Sequence, residues 1–192
     1  CLFMINSFTE KGTIYKYDPD TNGLSLFKKS TLPVDLNDCI VERGYATSKD
    51  GTEVPMTVIR HPDTQLDGSA ATLLYGYGGF NVSLHPEFRS NVAQWVKSGG
   101  IYVQANLRGG GEYGQDWYDQ GRKENKQNVF DDFIACAEHL IKNEYTTNNR
   151  VTRFWQSDYS EYITYYAIEK MLSNGLIYLQ NQMDALSHFN QG

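Results

Sequence analysis

Two short apolar runs, each ending in a glycine-rich loop, constrain this chain more than any other feature of its sequence. Ala70-Ala-Thr-Leu-Leu-Tyr75 leads into Tyr75-Gly-Tyr-Gly-Gly-Phe80, and Ile101-Tyr-Val-Gln-Ala-Asn-Leu107 leads into Asn106-Leu-Arg-Gly-Gly-Gly-Glu-Tyr-Gly114. A short continuous apolar run bounded by glycine reads as a strand buried on both faces, as in a parallel sheet. Helical patterns follow each run. His85-Pro86 opens one that continues to about Lys97 and stops at Ser98-Gly-Gly100. Val129, Phe130, Phe133, Ile134, Ala137, Leu140 and Ile141 recur at helical spacing from about Asn128 to Asn143. Strand, helix, strand, helix predicts a doubly wound α/β sheet with right-handed crossovers.

Upstream the pattern is β throughout. In residues 1–38, Thr13–Tyr17 and Leu24–Phe27 flank a loop whose Asn22-Gly23 supplies positive φ. Two or three short strands bury no core alone, so this meander needs neighbours; the last blade of a β-propeller is one such setting. A second hairpin, Cys39–Thr47 and Glu53–Arg60 around Ser48-Lys-Asp-Gly51, opens the α/β part, which spans residues 39–150. Past Arg150 the rhythm changes. Ser160–Asn174 and Leu176–Phe189 read as helices, so residues 151–192 are expected to form a mostly helical tail and the sheet to stop early. The chain enters at Cys1 directly before Leu-Phe-Met-Ile, as if midway into a strand, so its true N-terminus is expected to lie elsewhere.

A formal charge of −6 and pI near 5.2 argue against nucleic acid or an anionic membrane as partner. Cys1, Cys39 and Cys136 are odd in number and follow no metal-ligand spacing, so neither a metal nor another cofactor is expected. A reducing, cytoplasmic setting is the simpler expectation for them. No apolar run reaches membrane length.

The first glycine loop has three chemical readings. A dinucleotide fingerprint needs a third glycine where Asn81 stands, and a phosphate-binding P-loop needs Gly-Lys-Ser/Thr, which is absent. The third reading is an oxyanion loop, leaving a core strand with donors for a developing charge. A tight turn without chemistry is an equal alternative on local residues alone. The second loop reads as a shaper of the same edge, stapled by an Arg108–Glu112 contact.

Leu74-Tyr-Gly-Tyr-Gly-Gly-Phe-Asn81, Asn106-Leu-Arg-Gly-Gly-Gly-Glu-Tyr-Gly114 and Asn125-Lys-Gln-Asn-Val-Phe-Asp-Asp-Phe133 resemble three consecutive blocks of the prolyl oligopeptidase family, with Ser48-Lys-Asp-Gly-Thr52 matching upstream. The resemblance runs from about Ile14 to Arg150. It implies a partial α/β-hydrolase preceded by the closing strands of a β-propeller, in a serine peptidase that cleaves short proline-containing peptides through a Ser-Asp-His triad. Tyr77 then corresponds to the residue whose hydroxyl donates to the oxyanion, and Phe80 to a wall of the substrate cleft; packing under the loop is the alternative for Phe80.

Such enzymes present the nucleophile on a G-x-S-x-G elbow, and no G-x-S-x-G occurs in the 192 residues. Ser157 lacks flanking glycines and reads as an ordinary loop serine, and His61, His85, His139 and His188 have no serine partner on such an elbow. Trp155-Gln-Ser-Asp-Tyr159 resembles a family segment past the nucleophile whose Trp and Tyr stack on the substrate's proline ring, which implies pocket walls at Trp155 and Tyr159. An aromatic tail packing on exposed core is the alternative. The chain is therefore expected to be an inactive fragment or isoform of a post-proline serine endopeptidase. Two other expectations stand beside it: a non-catalytic fragment that binds a peptide or self-associates through an exposed sheet edge, and another α/β-hydrolase, such as an esterase or dipeptidyl peptidase.

Overall fold

The computed structural model describes residues 1–29, 34, 36–155 and 177–178. β1 (Leu2–Ile5), β2 (Thr13–Asp18) and β3 (Gly23–Lys28) form an antiparallel three-stranded meander. Asn22 takes φ 49° at the β2–β3 turn, as its place before Gly23 predicts. β4 (Ile40–Thr47) and β5 (Glu53–Arg60) pair antiparallel across the Ser48–Gly51 turn, which closes with Gly51 N–H donating to the Ser48 carbonyl at 2.9 Å.

This hairpin continues into a six-stranded sheet with β6 (Thr72–Gly76), β7 (Ile101–Ala105), β8 (Val151–Trp155) and β9 (Ile177–Tyr178), in the order β4-β5-β7-β6-β8-β9. The pairs β7–β6, β6–β8 and β8–β9 are parallel, and β5 meets β7 antiparallel. The architecture is α/β. α1 (Ser90–Lys97) covers one face, α3 (Gln127–Lys142) covers the other, and the short α2 (Gln115–Asp119) lies between β7 and α3 in the chain.

Strand alternation divides the core. Leu74 and Val103 pack with Phe133, Cys136 and Leu140 of α3, whereas Tyr75 and Tyr102 pack with Val92, Ala93 and Val96 of α1. All five residues of β7 are buried, the two-sided burial that its unbroken apolar run predicts.

Two expectations are corrected, and a third falls almost wholly outside the described residues. The helix anticipated from His85 begins at Ser90, because Arg89 is extended (φ −123°, ψ 123°) and the preceding segment instead inserts Phe88 into the core beside α1. The sheet does not stop at Arg150: β8 runs parallel to β6 from Thr72↔Val151 to Gly76↔Trp155, with its first residue buried. The helices expected over Ser160–Asn174 and Leu176–Phe189 lie outside the described residues, apart from Ile177 and Tyr178, which pair with Arg153 and Phe154 of β8 as strand. Among the described residues no helix is long and apolar enough to cross a membrane.

Candidate active site at the carboxyl edge of the sheet

Register decides what meets at this edge. Gly76, the last residue of β6, stands opposite Ala105 at the end of β7 and Trp155 at the end of β8. Tyr77 follows Gly76 directly, so Tyr77, the Asn106–Gly114 loop and the Trp155 backbone converge where ligands of open parallel sheets bind. Tyr159 lies outside the described residues, as does Ser157.

The turn after β6 is left-handed over most of its length, with Gly78 at φ 64°, Phe80 at 51° and Asn81 at 58°. A non-glycine residue in this region costs on the order of 1–3 kcal/mol, and such residues cluster at functional sites. Gly78 is demanded twice over: besides its φ, a Cβ there would stand 2.4 Å from Val129 Cγ1 and 3.0 Å from the Arg108 carbonyl oxygen. The second loop holds the first in place. Asn81 N–H donates to the Gly109 carbonyl at 3.2 Å, and Gly111 N–H donates to the Val82 carbonyl at 3.3 Å.

Tyr77 is buried, at 7% exposure, and Phe80 is exposed at 55%. The Tyr77 ring stands beside Gly79, with Cε1 3.8 Å from the position a Cβ would take there. The amine of Lys126 approaches the same position to 3.6 Å and donates to the Gly78 carbonyl at 2.7 Å. Burial lowers the pKa of Lys126 to about 8. A cavity of about 100 Å³ opens here, lined by residues that include Gly79, Phe80, Tyr118 and Lys126. A larger cavity, about 620 Å³, lies at the opposite edge by the amino ends of β6 and β7, among His61, Asp63, Trp95 and Lys97. None of its lining residues belongs to the two glycine loops, and size does not make it the reactive site.

Arg108 corrects the expected Arg108–Glu112 staple. Its guanidinium is 1% exposed and turns inward, giving Asp132 of α3 hydrogen bonds of 2.9 Å from Nε and 2.6 Å from Nη2, and Asp50 of the β4–β5 turn one of 2.5 Å from Nη1. Ser48 Oγ donates to Asp132 at 2.6 Å. Desolvation works against the charge on Arg108, but hydrogen bonds to Asp132 and then Asp50 outweigh it and raise its pKa. Glu112 instead accepts from Leu84 N–H at 3.0 Å and Asn106 Nδ2 at 3.1 Å, bracing the loop's other side. The signal that could have placed Arg108 is Asp132 itself: a carboxylate on the apolar face of α3, between Val129 and Cys136, requires a buried cation. Among the described residues no group of three His, Cys, Asp or Glu side chains could hold a metal ion.

With this geometry in place, the likeness to known proteins is specific. The model of the prolyl oligopeptidase family matches residues 86–157. A prolyl endopeptidase of Elizabethkingia miricola is 40% identical over 147 residues, 77% of this chain and 21% of that protein. A solved chain from work on two prolyl endopeptidases superposes with TM-score 0.77 and 47% identity, covering 81% of this chain and 23% of that one. The chain belongs to the prolyl oligopeptidase family. Prolyl oligopeptidase B from Galerina marginata, solved bound to a 35-residue hydrolysis and macrocyclization substrate, also matches, with TM-score 0.77 and 38% identity over 81% of this chain and 22% of its own. The chain thus spans about a fifth of the length of the curated relatives it matches.

Proposed function

We propose that this chain carries the opening strands of an α/β-hydrolase domain, entered from the closing strands of a β-propeller, from a serine endopeptidase that cleaves short peptides after proline. Supporting the hydrolase reading is a sheet in which an antiparallel β4–β5 hairpin leads into parallel strands, both glycine loops leaving one edge. The peptide substrate is carried over from the relatives, whose names specify proline and one of which is solved with a bound peptide.

The observation that carries the chemistry is the place of Tyr77. It sits one residue past the in-register strand ends, on a left-handed turn pinned by the second loop. In acyl transfer a serine oxygen attacks the peptide carbonyl, the carbonyl oxygen gains charge, the amine leaves, and water releases the acyl group. Tyr77 would donate its phenol hydrogen to that oxyanion, and a largely desolvated donor held before the reaction stabilises it more than a solvated one. Phe80 would wall the cleft, and Trp155 and Tyr159 would flank the proline ring.

These 192 residues contain no G-x-S-x-G elbow, so the chain alone is proposed to lack the covalent step. A fluorophosphonate probe on the purified chain should leave it unlabelled. Labelling at Ser157, two residues past β8, would overturn that reading.

A second reading rests on the meander, where Leu2, Met4, Leu24, Leu26 and Phe27 are all more than half exposed. Such a face favours association with a partner chain or a second copy. Size-exclusion chromatography tests association with a second copy, which a clean monomer removes.

A further inference from the structure

We propose that the cavity beside the glycine turn is a subsite for a small carboxylate, the free C-terminus of a bound peptide. The inference rests on the peptide-substrate reading above and adds what part of the peptide is read. Three cationic side chains line the cavity, Arg122, Lys123 and Lys126, in a chain whose formal charge is −6. They share it with Gly79, Phe80 and Tyr118, and its volume of about 100 Å³ suits one carboxylate rather than a side chain with its backbone.

Lys126 stands at the centre of the subsite. It is 7% exposed, and the strong desolvation of its amine stands behind its lowered pKa. It occupies the N-cap position of α3 without capping it, its amine donating instead to the Gly78 carbonyl, and the first turn of α3 carries no acidic residue. Arg122 is shared with Asp119, to which its Nε donates at 2.6 Å, and is stacked over the Tyr118 ring at 4.8 Å. Lys123 holds the turn at φ 50°, a strained conformation beside the cavity.

Gly79 supplies an independent observation. Unlike Gly78, it has no positive φ, and a Cβ there would meet Lys126 Nζ at 3.6 Å and Tyr77 Cε1 at 3.8 Å, both ordinary contact distances. Among the described residues, neither a left-handed φ nor a close contact requires glycine at 79. A bare residue in front of a buried amine leaves open the approach that a ligand group uses. The carboxylate would then lie against Lys126 and beside Tyr77, fixing the distance between the peptide's end and the bond presented to the oxyanion donor.

Acetyl-alanyl-prolyl-alanine and its C-terminal amide, titrated into the chain at pH 7 by calorimetry, test the assignment. The free acid is expected to bind about tenfold more tightly, the scale of one charge-assisted hydrogen bond. Gly79→Ala keeps every charge and, from the distances above, the fold; it should abolish the preference with an unchanged thermal melt. Lys126→Met should abolish it as well. Equal affinity for acid and amide would overturn the subsite while leaving the peptide cleft standing. Binding of neither peptide would overturn both, and binding of inorganic phosphate alone would reassign the cavity to phosphate and overturn the carboxylate assignment.

Discussion

β7 and β3 are both short apolar strands, yet they occupy opposite situations. All five residues of β7 are buried between α1 and α3, whereas Leu24, Ser25, Leu26, Phe27 and Lys28 of β3 are all exposed. Apolar content is therefore not what makes a strand part of a core; a covering layer on each face is. In the α/β region the crossover connections bring that layer with them, because each parallel strand must be followed by a chain segment long enough to return over the sheet. The meander's strands are joined by short connections that lay no layer over β3, and its β1–β2 loop, residues 6–12, sends only Phe8 into the core. Its apolar residues contribute stability only where another surface meets them, as Phe8 does at the edge of the α1-side core.

Substitutions in the two regions sharpen the contrast. Phe133→Ala, on the fully buried face of α3, should destabilise the chain by about 4 kcal/mol in denaturant unfolding, through lost transfer energy and a cavity. A much smaller loss would mean that the α3 layer is loosely packed. Arg108→Met should cost about 3 kcal/mol, because Asp132, at 0% exposure, would be left as a buried charge without its cation. The same network has a pH signature. The Arg108 guanidinium holds the Asp50 carboxyl well below the usual carboxylate range. Its contribution is thus complete above the unfolded value of about 3.9 and is lost as pH falls toward the folded one. Asp50→Asn should flatten the acid limb of the stability curve modestly, since the Asp50 side chain is 46% exposed and screened by solvent.

Gly78→Ala should cost about 2 kcal/mol, from left-handed backbone and the contact with Val129. Leu26→Ser, on β3, should change stability by less than about 0.5 kcal/mol. If it matched Phe133→Ala, the meander would be packed as a core element and the contrast would fail.

Much of this layout was legible in the sequence, for physical reasons that also mark where legibility ends. β6, β7 and α3 declare themselves through unbroken apolar runs and helical spacing, and the two hairpins through Asn22-Gly23 and Asp50-Gly51. β8 escaped because Val-Thr-Arg-Phe-Trp carries a cation at its centre and no bounding glycine; its place comes from the open hydrogen-bonding edge of β6, a tertiary fact. The segment before α1 escaped because packing of Phe88 overrides a helical start at Pro86. At the candidate site, Tyr77 and Phe80 could be named from the glycine block, but not that one would be enclosed and the other open. Lys126 was missed altogether, because its importance lies in reaching a carbonyl 48 residues away.

The Arg108 network also bears on how the chain comes into being. Synthesis delivers the β4–β5 turn first, then the arginine, and the α3 carboxylate last. Until residue 132 has left the ribosome, a guanidinium destined for the interior has only a surface aspartate to hold it. The β4–β5 turn thus gains its interior partner only when α3 docks, so closure of the hairpin's tip and docking of the helix are one coupled event.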